Sequence, residues 1–185
     1  MSGKLIYYYG TVCSSKTMNL LSIAHNYDEC GWNVVILKPS LDTRSTLIET
    51  RAKMPPRKAD VILEVNDSVF DYNPILMNAD VVMVDECQFL TETQIQDLRE
   101  FATSREIDVL CFGLKTDYNN RLFRASKRLL ELADELNEVK TICYLCGKHA
   151  SFNKKVEGIK DDSSVIDVGW DTYKPVCYRH YIDGL

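Results

Sequence analysis

The chain of 185 residues lacks any apolar run close to the roughly 20 residues that a bilayer span requires. Its first residues also lack the apolar core of a signal peptide, so we expect a cytoplasmic protein with no membrane partner. Positive charge is not in excess, because the formal net charge is -5, and this disfavours nucleic acid as the main partner. Seven cysteines are an odd number, and without an export signal we expect reduced thiols.

Hydrophobic residues make up 45% of the sequence, enough for the core of one α/β domain with a small appendage. Four short apolar runs alternate with helical patterns, which predicts a doubly wound parallel sheet with ligands at the carboxyl ends of its strands. The predicted strands are Leu5–Tyr9, Val34–Leu37, Val81–Val84 and Val109–Phe112. Apolar periodicity fades after Cys143, so we expect two domains, residues 1–141 and 142–185.

Three helices are predicted between and after these strands. The first begins near Lys16 and ends at Gly31, and the second begins at a capping box formed by Thr91 and Gln94. The third is indicated by apolar and small residues that share one face. These are Leu122, Phe123, Ser126, Leu129, Leu130 and Ala133. No regular pattern is found between Ser40 and Lys58.

The turn between the first strand and the first helix is typical of a phosphate-binding P-loop, with one departure. The pattern G-x-x-x-x-G-K-[ST] expects a second glycine where Ser15 stands. Such a loop directs backbone N–H groups at phosphate oxygens, while Lys16 reaches the terminal phosphates and Thr17 is placed to ligate Mg²⁺. The phosphate-binding candidates are Gly10, Thr11, Val12, Cys13, Ser14, Ser15, Lys16 and Thr17. A strand-to-helix turn that binds nothing is the competing interpretation.

Two carboxylates follow the third predicted strand directly. Asp85 is placed as an acid that holds Mg²⁺ beside the P-loop threonine, and Glu86 as a general base. Since both segments occur on strands of one sheet, we expect a nucleotide site where the strands end.

Four metal-ligand residues occur in two tight pairs near the end of the chain. Cys143-x-x-Cys146 and Cys177-x-x-His180 have the spacing of a Cys₃His zinc site. Four protein ligands close the coordination sphere, so the predicted zinc is structural. His149 follows Cys146 by three residues and is an alternative ligand.

Six segments, in this order, resemble the zinc-containing thymidine kinases of the cellular and phage type. They are GTVCSSKT, LKPSLDTR, VDECQFL, FGLKTDYNNRLF, CYLCGKHASF and YKPVCYRHY, and the resemblance spans nearly the whole chain. It implies a RecA-like α/β domain with a zinc-anchored lasso loop, usually in a homotetramer. It also implies transfer of the γ-phosphate of ATP to the 5′-hydroxyl of thymidine, with Mg²⁺, and we expect deoxyuridine to be accepted too.

The resemblance also assigns roles to single residues. Lys16 would bind ATP phosphates, Thr17 and Asp85 would organise Mg²⁺, and Glu86 would take the 5′-hydroxyl proton. Arg51 resembles the flexible-loop arginine near the phosphates. The residues assigned to the nucleoside are Val12, Phe89, Leu114, Tyr118, Asn153, Val165, Ile166 and Tyr173. The chain departs from the family pattern at Ser15, at Lys115 in place of arginine, and at Asn153 in place of threonine.

Two other functions fit parts of the sequence. A RecA-type P-loop ATPase could use Asp85 and Glu86 to polarise water. A zinc-bearing scaffold without catalysis could retain the fold with an altered P-loop. The favoured hypothesis is the nucleoside kinase, because an ATPase motor has no need of a lid over a nucleoside and the acidic composition weakens a nucleic-acid-binding version of the scaffold.

Overall fold

The computed structural model describes residues 3–42, 46–50, 52, 54–155 and 172–183. The strands in this part of the chain are β1 Leu5–Gly10, β2 Val34–Pro39, β3 Leu47–Ile48, β4 Arg57–Lys58, β5 Val61–Leu63, β6 Val81–Val84, β7 Asp108–Leu114, β8 Glu135–Glu138, β9 Thr141–Ile142, β10 His149–Ala150, β11 Phe152–Lys155 and β12 Tyr173–Val176. The α-helices are α1 Lys16–Glu29, α2 Asn73–Leu76, α3 Glu92–Arg105, α4 Arg124–Leu132 and α5 Tyr178–Ile182, and two 3₁₀ turns span Val69–Tyr72 and Cys87–Phe89.

A parallel sheet in the order β5-β2-β6-β7-β1-β8 forms the centre of the molecule. The predicted α/β class is confirmed, and each of the four predicted strands is present. Strands β1 and β6 both pair with β7. The P-loop and the two carboxylates therefore follow strands that are separated by one strand at the same edge of the sheet.

Two strands of this sheet were missed in the sequence. Strand β5 has only three residues, and β8 is the polar edge strand Glu-Leu-Asn-Glu, which pairs with no described strand other than β1. An edge strand in contact with solvent does not need the apolar run that marks a buried one. The residue pattern of β8 therefore does not mark it as a strand.

Both faces of the sheet are covered by apolar side chains. Along β6, Val82 and Val84 belong to one buried cluster with Leu98 and Phe101 of α3. Val81 and Met83 belong to the opposite cluster, which contains residues of α1 and β7. This alternation follows from the two-residue period of a strand and explains the continuous apolar sequence of β6.

The ends of the helices agree in part with the sequence. The capping box of α3 is present, since the Thr91 hydroxyl accepts from the Gln94 backbone and the Gln94 side chain accepts from the Thr91 backbone. The third predicted helix is shorter than expected, because α4 begins at Arg124 after an extended Phe123. Leu122 instead forms an isolated bridge with Thr116.

The segment without a regular pattern contains a small antiparallel pair, β3 with β4. The carboxyl-terminal part forms two further antiparallel pairs, β9 with β10 and β11 with β12, followed by α5. Strand β9 spans the expected boundary between residues 141 and 142, and that division stays a prediction. No helix in the described ranges is both long and apolar enough to cross a bilayer.

Candidate functional site

The turn from β1 to α1 has the close packing that a phosphate loop requires. A Cβ atom on Gly10 would overlap the Ser14 hydroxyl and the Val139 carbonyl oxygen, so this position needs glycine. Cys13 and Ser15 both have left-handed backbones, with φ angles of 57° and 63°. The loop is therefore bent twice at non-glycine residues before α1 begins.

Lys16 lies folded over this loop. Its Nζ donates to the Thr11 carbonyl at 2.7 Å and to the Ser14 hydroxyl at 3.2 Å. Burial lowers the pKa of Lys16, while the nearby carboxylates of Glu86 and Asp85 oppose that change. The ammonium is thus placed in the field of both acids.

Thr17 and Asp85 lie in contact across the sheet edge. The Thr17 hydroxyl donates to Oδ1 of Asp85 at 3.3 Å, and the Asp85 backbone donates to the Leu37 carbonyl at 3.1 Å. A carboxylate and a hydroxyl are oxygen ligands of the kind that Mg²⁺ takes beside phosphates. The donor set fits the predicted ion.

Glu86 lies on a left-handed turn with a φ angle of 51°, directly before the 3₁₀ turn Cys87–Phe89. Nε2 of Gln88 donates to Oε2 of Glu86 at 2.6 Å, and the Leu114 backbone donates to Oε1 of Gln88 at 2.9 Å. Gln88 was missed in the sequence. The available signal was a single amide within the apolar segment that follows the two acids.

Two aromatic pairs contain predicted nucleoside residues. The rings of Tyr118 and Tyr173 are stacked at 5.7 Å, which brings β12 against the segment that follows β7. The ring of Phe89 meets that of Phe123 edge-on at 6.1 Å. Phe123 was predicted as part of a helix and not as part of a site. Aromatic faces of this kind can stack on a nucleobase.

Asn153 connects β11 to the P-loop. Its Oδ1 accepts from the Val12 backbone at 2.8 Å, and its Nδ2 donates to the Thr116 carbonyl at 2.9 Å. The residue is only 4% exposed. Its predicted contact with the nucleobase stays a prediction. Arg51, Val165 and Ile166 lie outside the described residues.

The four predicted zinc ligands form one cluster, with all ligand atoms within 4.8 Å of one another. Nδ1 of His180 lies 3.4 Å from Sγ of Cys143 and 3.3 Å from Sγ of Cys177, and the sulfurs of Cys146 and Cys177 are 3.8 Å apart. A tetrahedral zinc with bonds of about 2.3 Å to sulfur separates two sulfurs by about 3.8 Å. The cluster therefore fits the ion.

The electrostatics of this cluster favour a thiolate. Burial raises the pKa of Cys143, but backbone N–H groups of Cys177, Leu145 and Cys146 and the His180 ring bring it down to about 6. A thiolate is the form that binds zinc. His149 is not in the cluster, since its ring contacts Glu138 at 3.2 Å and Ser151 at 3.3 Å.

Comparison with known proteins gives one family. The family model described as thymidine kinase matches residues 3–181. A thymidine kinase of Streptococcus agalactiae is 39% identical over 184 residues, covering 97% of both chains. Thymidine kinases of Streptococcus pyogenes and Lactococcus lactis are 37% and 36% identical, with coverage of 97% and 96% of each chain.

A solved helicase structure resembles the chain less closely than these relatives do. A Pif1 helicase from Candida albicans is 14% identical and superimposes with a TM-score of 0.45, covering 76% of this chain and 36% of the helicase. A TM-score below 0.5 carries no weight for function.

Proposed function

The chain belongs to the thymidine kinase family, and from that premise we propose that this site transfers the γ-phosphoryl group of ATP to the 5′-hydroxyl of thymidine. The observation that carries the proposal is the meeting of Lys16, Thr17 and the two acids at one edge of the sheet. Each group has a role in phosphoryl transfer.

The P-loop binds the triphosphate. Its backbone N–H groups and the start of α1 face the phosphate oxygens, where the helix end favours negative charge. Lys16 moves from the Thr11 carbonyl to a phosphate oxygen, a small change because its Nζ already lies over the loop. Thr17 and Asp85 would hold Mg²⁺, which supplies neutralisation of phosphate charge when bound.

Glu86 takes the proton of the 5′-hydroxyl. The hydroxyl oxygen forms a bond to the γ-phosphorus as the bond to the β,γ-bridging oxygen breaks, and ADP leaves with that electron pair. Glu86 accepts the released proton. Its place directly after Asp85 supports this role, because the acceptor must lie beside the phosphates.

The nucleoside is held between the aromatic residues that surround this edge. Phe89 and Tyr118 form walls for the base, Leu114 lies at the end of β7, and Tyr173 closes from β12. Backbone hydrogen bonds suit thymine and uracil equally, so deoxyuridine is a second substrate. Val12, Asn153, Val165 and Ile166 complete the predicted contacts, and Arg51 is assigned to the phosphates.

We further propose a structural zinc, a homotetramer and a cytoplasmic location. The cysteine cluster binds a structural zinc, and residues 142–185 form a separate unit around it. The protein assembles as a homotetramer and acts in the cytoplasm, where its cysteines, none of them in a disulfide among the described residues, would stay reduced.

A coupled assay of ADP release tests the function, with ATP and Mg²⁺ and with thymidine, deoxyuridine, deoxycytidine and deoxyadenosine as acceptors. We expect release with thymidine, less with deoxyuridine, and none with the purine nucleoside. Release without any nucleoside indicates an ATPase, and no release at all indicates a scaffold.

Glu86→Gln tests the catalytic assignment in the same assay. A positioned base contributes about 10²–10⁴-fold, so we expect kcat to fall in that range while ATP affinity remains close to that of the unaltered protein. The variant keeps the shape of the side chain and an oxygen that can accept from Gln88. Near-normal turnover would remove Glu86 from the mechanism.

A further inference from the structure

Gln88 is the buried polar side chain closest in sequence to the acids, and the proposed reaction gives it no role. It is 3% exposed. A buried amide is costly unless its hydrogen-bonding groups are used. Its two contacts therefore indicate what it does.

The orientation of the Gln88 amide follows from its partners. The Leu114 backbone N–H can only donate, so the group that faces it is the oxygen, at 2.9 Å. The amide nitrogen must then face Glu86, to which it donates at 2.6 Å. One end of this side chain is fixed to the sheet and the other end holds a carboxylate oxygen.

The anchor on the sheet is firm. The Leu114 carbonyl accepts from the hydroxyl of Tyr7 at 2.9 Å and from the hydroxyl of Ser126 at 2.6 Å. A Cβ atom on Gly113 would lie 2.5 Å from Oε1 of Gln88 and 2.6 Å from Sγ of Cys87. Glycine at this position thus leaves the space through which Gln88 reaches β7.

The carboxylate lies on a different kind of support. Glu86 has a left-handed φ of 51° and directly precedes a single 3₁₀ turn. The Gln88 contact ties its carboxylate to β7. Leu114 is the last residue of β7 and is also a predicted nucleoside residue.

We propose that Gln88 is a positioning residue, which holds the Glu86 carboxylate at a fixed distance from β7 and so from the nucleoside hydroxyl. The inference rests on the proposed function, because it assigns Glu86 as the base. A reacting group misplaced by about 1 Å can lose about 10²-fold in rate. We therefore expect loss of the contact to lower kcat by about 10–100-fold and to change KM by less than about threefold.

The test uses two variants of similar shape. Gln88→Met removes both hydrogen bonds, and Gln88→Glu keeps an acceptor for Leu114 while placing a carboxylate against Glu86. Gln94→Met is the matched control, since Gln94 is 2% exposed and its amide donates to the carbonyls of Glu64 and Asp67, outside the site. The melting temperature, kcat and both KM values are measured for each protein.

We expect the control to lose stability but keep kcat, whereas both Gln88 variants lose kcat. If Gln88→Met does not fold, the kcat of Gln88→Glu alone tests the inference. A second comparison adds Gln88→Met to Glu86→Ala and follows a single turnover. Because Gln88 acts through Glu86, Gln88→Met should change the residual rate of the Glu86→Ala protein by less than about twofold.

Three results would overturn the inference. Normal kcat in a folded Gln88 variant shows that the contact is not needed. If Gln88→Met lowers the rate as much in the Glu86→Ala protein as in the unaltered protein, Gln88 acts by another route. Absence of thymidine phosphorylation in the unaltered protein removes the proposed function and this inference with it, and is recognised before any variant is made.

Discussion

Ser15 is the residue at which the P-loop departs from its usual sequence, and the structure gives the cost of that departure. It lies at the start of α1 with φ 63° and ψ 26°, and its side chain makes no capping hydrogen bond. A side chain in this left-handed region costs on the order of 1 kcal/mol relative to glycine. The sequence identified the position, but the backbone angle could not be read from it.

Ser15→Gly should therefore tighten ATP binding and raise the melting temperature slightly. The gain is limited, because glycine also increases the freedom of the unfolded chain. Isothermal titration with a non-hydrolysable ATP analogue and thermal unfolding measure the two effects.

Glu106→Gly is the matched control for Ser15→Gly. Glu106 caps the carboxyl end of α3 with φ 57° and ψ 33° and takes no part in the proposed site. The control should stabilise the fold in a similar way without changing ATP affinity. Weaker ATP binding in Ser15→Gly would show that the serine hydroxyl contributes to phosphate binding.

At the scale of elements, the zinc cluster connects short strands and a short helix that bury few apolar side chains between them. The buried apolar residues of this region are only Cys143, Ala150 and Val176 among those described. β9, β10, β12 and α5 are brought together around the four ligands. Metal binding would then supply much of the stability of this part of the chain.

Purified protein should contain about one zinc per chain, and Cys177→Ser should lose it. Mass spectrometry of metals gives the content, and hydrogen exchange of residues 141–155 and 172–183 gives the local stability. Cys30→Ser is the control, since Cys30 is exposed and distant in sequence from the ligands. Protein without zinc that keeps full protection in these segments would exclude a structural metal.

Asn153 joins the strand β11 to the P-loop through the Val12 N–H and to the segment after β7 through the Thr116 carbonyl. Asn153→Ala removes the partner of the buried Thr116 carbonyl and of the partly buried Val12 N–H, so we expect a loss of about 1–3 kcal/mol in the free energy of unfolding. We also expect weaker ATP binding, because Val12 belongs to the phosphate loop. Denaturant unfolding and ATP titration measure both.

Asn153→Thr separates this connecting role from the predicted contact with the base. The threonine hydroxyl lies one bond closer to the backbone than the amide atoms of asparagine and so reaches the two backbone groups less well, which should lower kcat/KM for thymidine and deoxyuridine together. If Asn153 also faces the 5-methyl group, the ratio of the two kcat/KM values changes, within the about 1–3 kcal/mol that such a group is worth. Unchanged ATP affinity and an unchanged ratio would leave Asn153 with neither role.

Across the whole molecule, the features that the sequence predicts are those defined by short local patterns. The P-loop, the acids after β6 and the paired zinc ligands all depend on residues a few positions apart, and the structure brings each set together. Contacts distant in sequence were not readable. Asn153 and Val12 are 141 residues apart, and the polar strand β8 is defined only by its pairing with β1.

Asp134 makes further contacts between residues that are distant in sequence. It connects β8, β1 and α3 where the parallel strands begin, at the end of the sheet opposite the candidate site. It precedes β8, accepts from the Leu5 backbone at the start of β1, and pairs with Arg99 of α3. Burial raises the pKa of Asp134, but these hydrogen bonds and the charges of Arg99 and Lys4 outweigh burial and lower it. Because the folded value lies below the unfolded value of about 3.9, the carboxylate stabilises the fold above that pH.

This stabilisation is lost as the pH falls through the folded pKa. Asp134→Asn removes the charge but keeps an oxygen for Leu5, so the variant should be less stable near neutral pH. The difference in unfolding free energy between the two proteins should shrink as the pH falls from about 5 towards 3, measured by urea unfolding. Protonation of the cysteine cluster affects both proteins and cancels in the difference. A difference that stays constant over this range would show that the Asp134 charge does not contribute to stability.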